Sequence, residues 1–233
     1  MLCALAVGLP CAAETVRGSG HAATEERTVS GVTGIAASVP GRIEVLQADR
    51  EAASVTADDN VLPRIETFVD RGVRHIRFAR GSDVRPRTPI RIVVHLRSID
   101  LITLAGAVTL EAPRLTADRL SVRLAGAGQA VLPEIAAREL SLHTSGHCHA
   151  MVAGRVDAFE LHMAGAGEVN AARLEARRAS VLIAGSAATA LWVRDRLEAG
   201  VTGSGAVRYF GDPAVEKRVQ GSGRVERLGA APP

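Results

Sequence analysis

A glycine recurs at near-constant spacing through the second half of this chain, and few folds can accommodate that. From residue 101 onward the sequence reads LITLAGA, SVRLAGAG, SLHTSGH, ELHMAGAG, SVLIAGSA, AGVTGSGA and VQGSGRV. Aligned, these stretches put Gly106, Gly126, Gly146, Gly165, Gly185, Gly203 and Gly221 in one column. The intervals are 20, 20, 19, 20, 18 and 18 residues. A period near 20 held over seven copies predicts a solenoid, in which each repeat buries its face only against its neighbours.

The flanking columns select the kind of solenoid. Four residues before the glycine stand Ile102, Val122, Leu142, Leu161, Val181 and Ala199, and two before it Leu104, Leu124, Thr144, Met163, Ile183 and Val201. Mostly polar residues lie between them, which is the period-2 pattern of a strand with one face buried. The alternation resumes after the glycine with Ala130/Leu132, Ala150/Val152, Val169/Ala171, Thr189/Leu191 and Val207/Tyr209. A third inward column holds Leu120, Leu140, Phe159, Ala179 and Leu197. Three short strands per repeat with small residues at the corners predict an all-β fold, a right-handed parallel β-helix of about 20 residues per coil, its hand following the general preference of parallel crossovers. A leucine-rich repeat would need its LxxLxL spine, and a two-helix repeat more than about 30 residues. Coils stacked at the strand spacing of about 4.8 Å need a corner that repeats without side-chain collision, and glycine provides it; six such intervals make a rod of roughly 29 Å.

Composition agrees with a narrow aliphatic core: 47% of residues are hydrophobic but only 3% aromatic. The net charge of +3 comes mainly from scattered arginines, without the basic cluster of a nucleic-acid binder, so no nucleic-acid partner is expected. Residues 1–13, MLCALAVGLPCAA, are too short to span a bilayer and read as a signal peptide shortened at its basic end. Cleavage near Ala12 or Ala13 would start the mature chain at Glu14 and leave Cys148 as its one cysteine. Residues 14–30 read as a linker or leading edge strand. Residues 31–228 read as a single β-helix domain, with irregular first coils over 31–100 and glycine-marked coils over 101–228. Residues 229–233 form a tail. Within the first part, turns are expected at Pro40-Gly41, at Asp58-Asp59-Asn60 and at Asp70-Arg71-Gly72, the last as a hairpin pivot, and GSDVRPRTP reads as a loop. No C-terminal apolar anchor follows the last repeat.

Three stretches, GSGHAATEERTVSGVTGI, GVRHIRF and GSGAVRYFGDPAVEKRVQGSGRVERL, resemble the "putative auto-transporter adhesin, head GIN domain" family over roughly residues 18–228. The resemblance implies a secreted or envelope β-helical protein of bacteria and transfers no catalytic residue. Val32 stands where that family usually has Phe, and Ser145-Gly146-His147-Cys148 replaces the usual AGAG.

One cluster looks chemical. His143, His147, Cys148, His149 and His162 offer zinc-type ligands within a short span. Their columns speak against a shared site: His143 and His162 fall in one outward column, and Cys148 at a tight inward corner. Carbohydrate-active β-helix enzymes need carboxylates gathered on one face. Asp118, Glu139, Asp157 and Glu175 lie in different columns among Arg119, Arg138, Arg173 and Arg177, a pattern of surface charge pairing. Trp192, Tyr209 and Phe210 are too few to form a sugar-stacking platform. The expectation is therefore a non-enzymatic exported protein of the periplasm, envelope or cell exterior, with an adhesin-like or scaffolding role, no cofactor, and a cell-surface, glycan or protein partner. The alternative is a polysaccharide lyase or hydrolase.

Overall fold

The computed structural model describes residues 14–28 and 30–232, so the predicted signal peptide and its cleavage site lie outside the described residues. The strands are β1 (Glu14–Arg17), β2 (Ala22–Arg27), β3 (Gly34–Ala37), β4 (Gly41–Gln47), β5 (Ala52–Asp58), β6 (Ile65–Asp70), β7 (Val73–Phe78), β8 (Ser82–Arg85) and β9 (Arg91–Leu96). They continue as β10 (Leu101–Gly106), β11 (Val108–Glu111), β12 (Leu115–Gly126), β13 (Gln129–Gly185), β14 (Ala188–Gly203), β15 (Ala206–Phe210), β16 (Ala214–Gly221) and β17 (Arg224–Gly229). β13 winds through several coils without a break.

From β10 onward every strand pairing is parallel, and the registers keep the sequence columns in line. Leu101–Gly106 pairs residue for residue with Ser121–Gly126, which pairs with Ser141–Gly146. Farther along, Gly185 pairs with Gly203 and Gly203 with Gly221. All seven column glycines take φ between 95° and 122°, a region that L side chains avoid. The six from Gly126 onward also lie against the coil below: a Cβ on Gly146 would stand 2.5 Å from the carbonyl oxygen of Gly126. Glycine thus meets two demands at once, a left-handed corner and backbone contact between coils.

The inward columns fill the centre. Ile102, Val122, Leu142, Leu161, Val181 and Ala199 are all buried, as are the columns beginning at Leu104 and Leu120. Two threonines sit among them. Thr189 donates its hydroxyl to the Val169 carbonyl at 2.9 Å, so its burial leaves no lost hydrogen bond. The third side of the coil is closed by Leu115, Ile135, Val156, Leu174, Ala176 and Val193, a buried layer that the glycine-based alignment does not reveal because its spacing from the glycine shifts from coil to coil.

The first third departs from coil-by-coil winding. β3 and β4 form a true first coil, pairing in parallel with β10 and β11. Beyond them β7 and β9 add a parallel layer, but β6 runs antiparallel to β7, and the β2–β5–β9 pairs are antiparallel. The expected hairpin pivot causes one of these reversals: Arg71 and Gly72 have φ of 48° and 75°, the positive pair of a tight hairpin turn. GSDVRPRTP is not all loop, since Ser82–Arg85 forms β8 beside β1. Within residues 14–30, read as a linker or leading edge strand, Glu14–Arg17 and Ala22–Arg27 form β1 and β2.

A buried carboxylate ties this end together. Asp58 is fully buried and accepts hydrogen bonds from the backbone of Gly20 at 2.8 Å, from Arg87 at 2.8 Å and from Thr88, with the Thr88 hydroxyl at 2.9 Å. Ser19 donates to Asn60 Oδ1 through its N–H and to Asp59 through its hydroxyl. A Cβ at Gly18 would collide with the Asp58 carboxylate, which explains the GSGH opening. Burial pushes the Asp58 pKa up, but the Thr88, Arg87 and Gly20 hydrogen bonds outweigh it and hold the group down at about 2. The unfolded carboxyl titrates near 3.9, so this stabilisation is complete above about 3.9 and drains as pH falls towards 2. In chemical denaturation across pH 2–6, Asp58→Asn should be less stable than wild type above pH 4, and the gap should close through that window. A gap constant with pH would show that the carboxylate charge is not what the clamp uses.

Candidate docking groove

The outward side chains of the glycine-bearing face form three columns. Five before each glycine stand Leu101, Ser121, Ser141, Glu160, Ser180, Glu198 and Glu216; three before it, Thr103, Arg123, His143, His162, Leu182, Gly200 and Arg218. The residues immediately before it are Ala105, Ala125, Ser145, Ala164, Ala184, Thr202 and Gln220. Large side chains beside a strip of small ones leave a trough, and the structure has a groove of about 1130 Å³ there, lined from Thr103 at one end to Arg218 and Gln220 at the other. It runs across the strands over seven coils, roughly 29 Å at the strand spacing. The floor is mostly alanine. Arg123 and Arg218 stand toward its ends, and Leu182, exposed and leaning over Gly200, narrows it.

The middle of the wall carries a polar cluster. His143 and His162 are stacked on successive coils with ring centroids 4.9 Å apart, edge to face. His162 Nε2 donates to Glu160 Oε1 at 2.9 Å, and the Ser141 hydroxyl donates to Glu160 Oε2 at 2.8 Å. The Ser141 hydrogen bond, followed by the His162 contact, holds Glu160 below the usual carboxylate range against the opposing effect of partial burial. Burial, then the neighbouring His162 and Arg123, pushes His143 down, so its ring is neutral at pH 7. Its Nδ1 is buried without a hydrogen-bond partner.

The remaining members of the histidine-cysteine cluster point elsewhere. His147 and His149 are exposed, lie beyond the glycine corner, and face each other at 5.1 Å. Cys148, between them, turns inward and is 1% exposed, with Sγ 3.5 Å from the Ser145 carbonyl and 3.7 Å from those of Leu124 and Gly126. The five candidates therefore divide among three environments. Among the described residues no group of three or more His, Cys, Asp or Glu side chains is arranged to hold a metal ion.

The carboxylates of the third side are paired rather than gathered. Arg119 meets Glu139 at 3.1 Å and Arg138 meets Asp118 at 3.2 Å. Glu175 accepts from Arg155 at 2.8 Å and Arg194 at 3.0 Å. Those bonds, Arg155's first, keep Glu175 below its ordinary range. A glycosidase proton donor needs the opposite, a carboxyl raised toward neutrality.

Parallel coils around one aliphatic core, with an open trough along one side, define a β-solenoid that presents a surface rather than enclosing a pocket. The chain belongs to the family described as "Putative auto-transporter adhesin, head GIN domain", which matches residues 32–213. Its fold is that of a "putative adhesin" from Bacteroides fragilis, TM-score 0.85 at 19% identity over 91% of this chain and 100% of that one. A "putative lipid binding protein" from Parabacteroides distasonis superposes with TM-score 0.75 at 24% identity, over 92% of this chain and all of the other. A "putative adhesin" from Parabacteroides merdae does so with 0.73 at 21%, over 93% and 100%. No curated protein matches the sequence at a significant level. No helix among the described residues is long and apolar enough to cross a membrane.

The position of Cys148 has a direct chemical consequence. In native protein it should resist a thiol reagent such as 5,5′-dithiobis(2-nitrobenzoate), and it should react within seconds once the chain is unfolded in guanidinium. Fast labelling of the native protein would place the thiol at the surface beside His147 and His149.

Proposed function

We propose that this chain is a non-catalytic exported protein whose solenoid binds an extended ligand at a cell surface along the alanine-floored groove. The observation that carries the reading is the groove's continuity: one small-residue floor repeated on six successive coils accepts a long ligand better than a compact one. Arg123 and Arg218 favour an anionic ligand, and the alanines favour contact with its apolar parts. The family's description as an adhesin supports display on a surface. The lipid-binding description of the Parabacteroides distasonis structure, whose fold this chain shares, is in keeping with an amphiphile as ligand. The paired carboxylates of the third side support a binding role over glycan hydrolysis.

Purified protein should bind bacterial cells or vesicles containing anionic lipid, while a panel of polysaccharides is left intact. Ala164→Trp, which fills the exposed floor, should weaken that binding by about tenfold or more. Arg114→Ala, on the third side, should leave it unchanged. Polysaccharide cleavage without cell or vesicle binding would overturn the reading in favour of an enzyme.

A further inference from the structure

The C-terminal rung has an edge that no described strand covers, with an unusual side chain on it. β16 pairs with β14 over eight residues, Arg196–Gly203 against Ala214–Gly221, and β17 pairs with β15; no described strand covers the other edge of either. All eight residues of β16 are exposed. Its inward column reads Val215, Lys217, Val219, stacked on the buried Leu197, Ala199 and Val201. Val215 and Val219 are 38% and 39% exposed, as core positions would be when the next rung is missing.

Lys217 is the chain's one lysine, and it occupies the column filled by Ile102, Val122, Leu142, Leu161, Val181 and Ala199 in the other coils. The neighbouring carboxylate is already engaged: Glu216 pairs with Arg218 at 2.7 Å and with Arg196 at 3.6 Å. Lys217 itself makes no ion pair among the described residues. An inward-pointing charge on an edge strand suppresses indiscriminate strand pairing, because an apolar strand would have to bury it unpaired. The same charge selects a strand that brings an acid to that position.

We propose that β16 is a docking edge for an extended segment of another polypeptide, whose inward residues read apolar, acidic, apolar. The backbone ladder supplies pairing, Val215 and Val219 take the apolar residues, and Lys217 pairs with the acid. A second copy of this chain fits poorly. In the two most complete two-fold registers of this strand, the residue on the axis faces its own copy as Lys217 on Lys217 or Arg218 on Arg218. The edge meets the end of the alanine-floored groove, because Arg218 and Gln220 of β16 line it, but Lys217 lies in the inward column, so Lys217 variants test this site apart from the groove.

The test uses the heptapeptide Thr-Val-Thr-Asp-Thr-Val-Thr and its counterpart with lysine at the centre, titrated into the full protein. The aspartate peptide should bind at least tenfold more tightly than the lysine peptide and should slow acylation of the Lys217 amine. Lys217→Glu should invert the preference, and Lys217→Met, which keeps an aliphatic stem, should abolish it. The proposal is overturned if neither peptide binds, if wild type and both variants bind the two peptides equally, or if the protein dimerises through this edge.

Discussion

Everything in this solenoid depends on how closely one coil's corner can approach the next. The strands of successive coils must lie about 4.8 Å apart to hydrogen-bond, and that spacing must hold at the bends as well as along the flat faces. At the glycine corner the backbone takes a positive φ and sets its Cα directly over the carbonyl of the coil beneath. A side chain there would pry the coils apart and break pairing on both flanking faces. The interior follows from this, because coils held at strand spacing leave a slot that Leu, Ile, Val and Ala fill.

The same corner shapes the outer surface. Residues just before the glycine approach their counterparts above and below, so they too are small, and alanine predominates. Two positions earlier the strand is flat and larger side chains fit. The groove is the boundary between these columns, and its chemistry is whatever the outer column carries: Arg123, the His143–His162 pair held by Glu160, and Leu182. A grooved surface thus arises from the stacking rule rather than from loops added to a scaffold.

Periodic features of the structure were legible in the sequence because each column repeats a single physical demand. The inward columns, the outward position of His143 and His162, and the burial of Cys148 could all be read from parity and the glycine register. The aperiodic features were not. Asp58 looked like part of a turn, because its donors come from Gly20, Arg87 and Thr88, far away along the chain. β8 was hidden just ahead of Pro86 and Pro89 and becomes a strand only because β1 lies beside it. The groove floor was visible as the alanine preceding four of the seven glycines, although its significance emerges only once the neighbouring column is known to stand above it. The Ser141–Glu160–His162 link crosses columns and coils, so no single-column pattern could have shown it.

The stacking constraint can be measured apart from the backbone strain that accompanies it. Gly106 and Gly146 have nearly the same φ, 96° and 95°, but a Cβ on Gly106 would have nothing within 4 Å while one on Gly146 would meet Gly126. Gly106→Ala should therefore cost only the conformational penalty, about 1–2 kcal/mol. Gly146→Ala should cost that plus the clash, a further 1–3 kcal/mol or so, in denaturant unfolding of the two variants side by side. Equal losses at the two positions would mean that the glycine column serves backbone conformation alone, and that close approach between coils is not what holds the solenoid together.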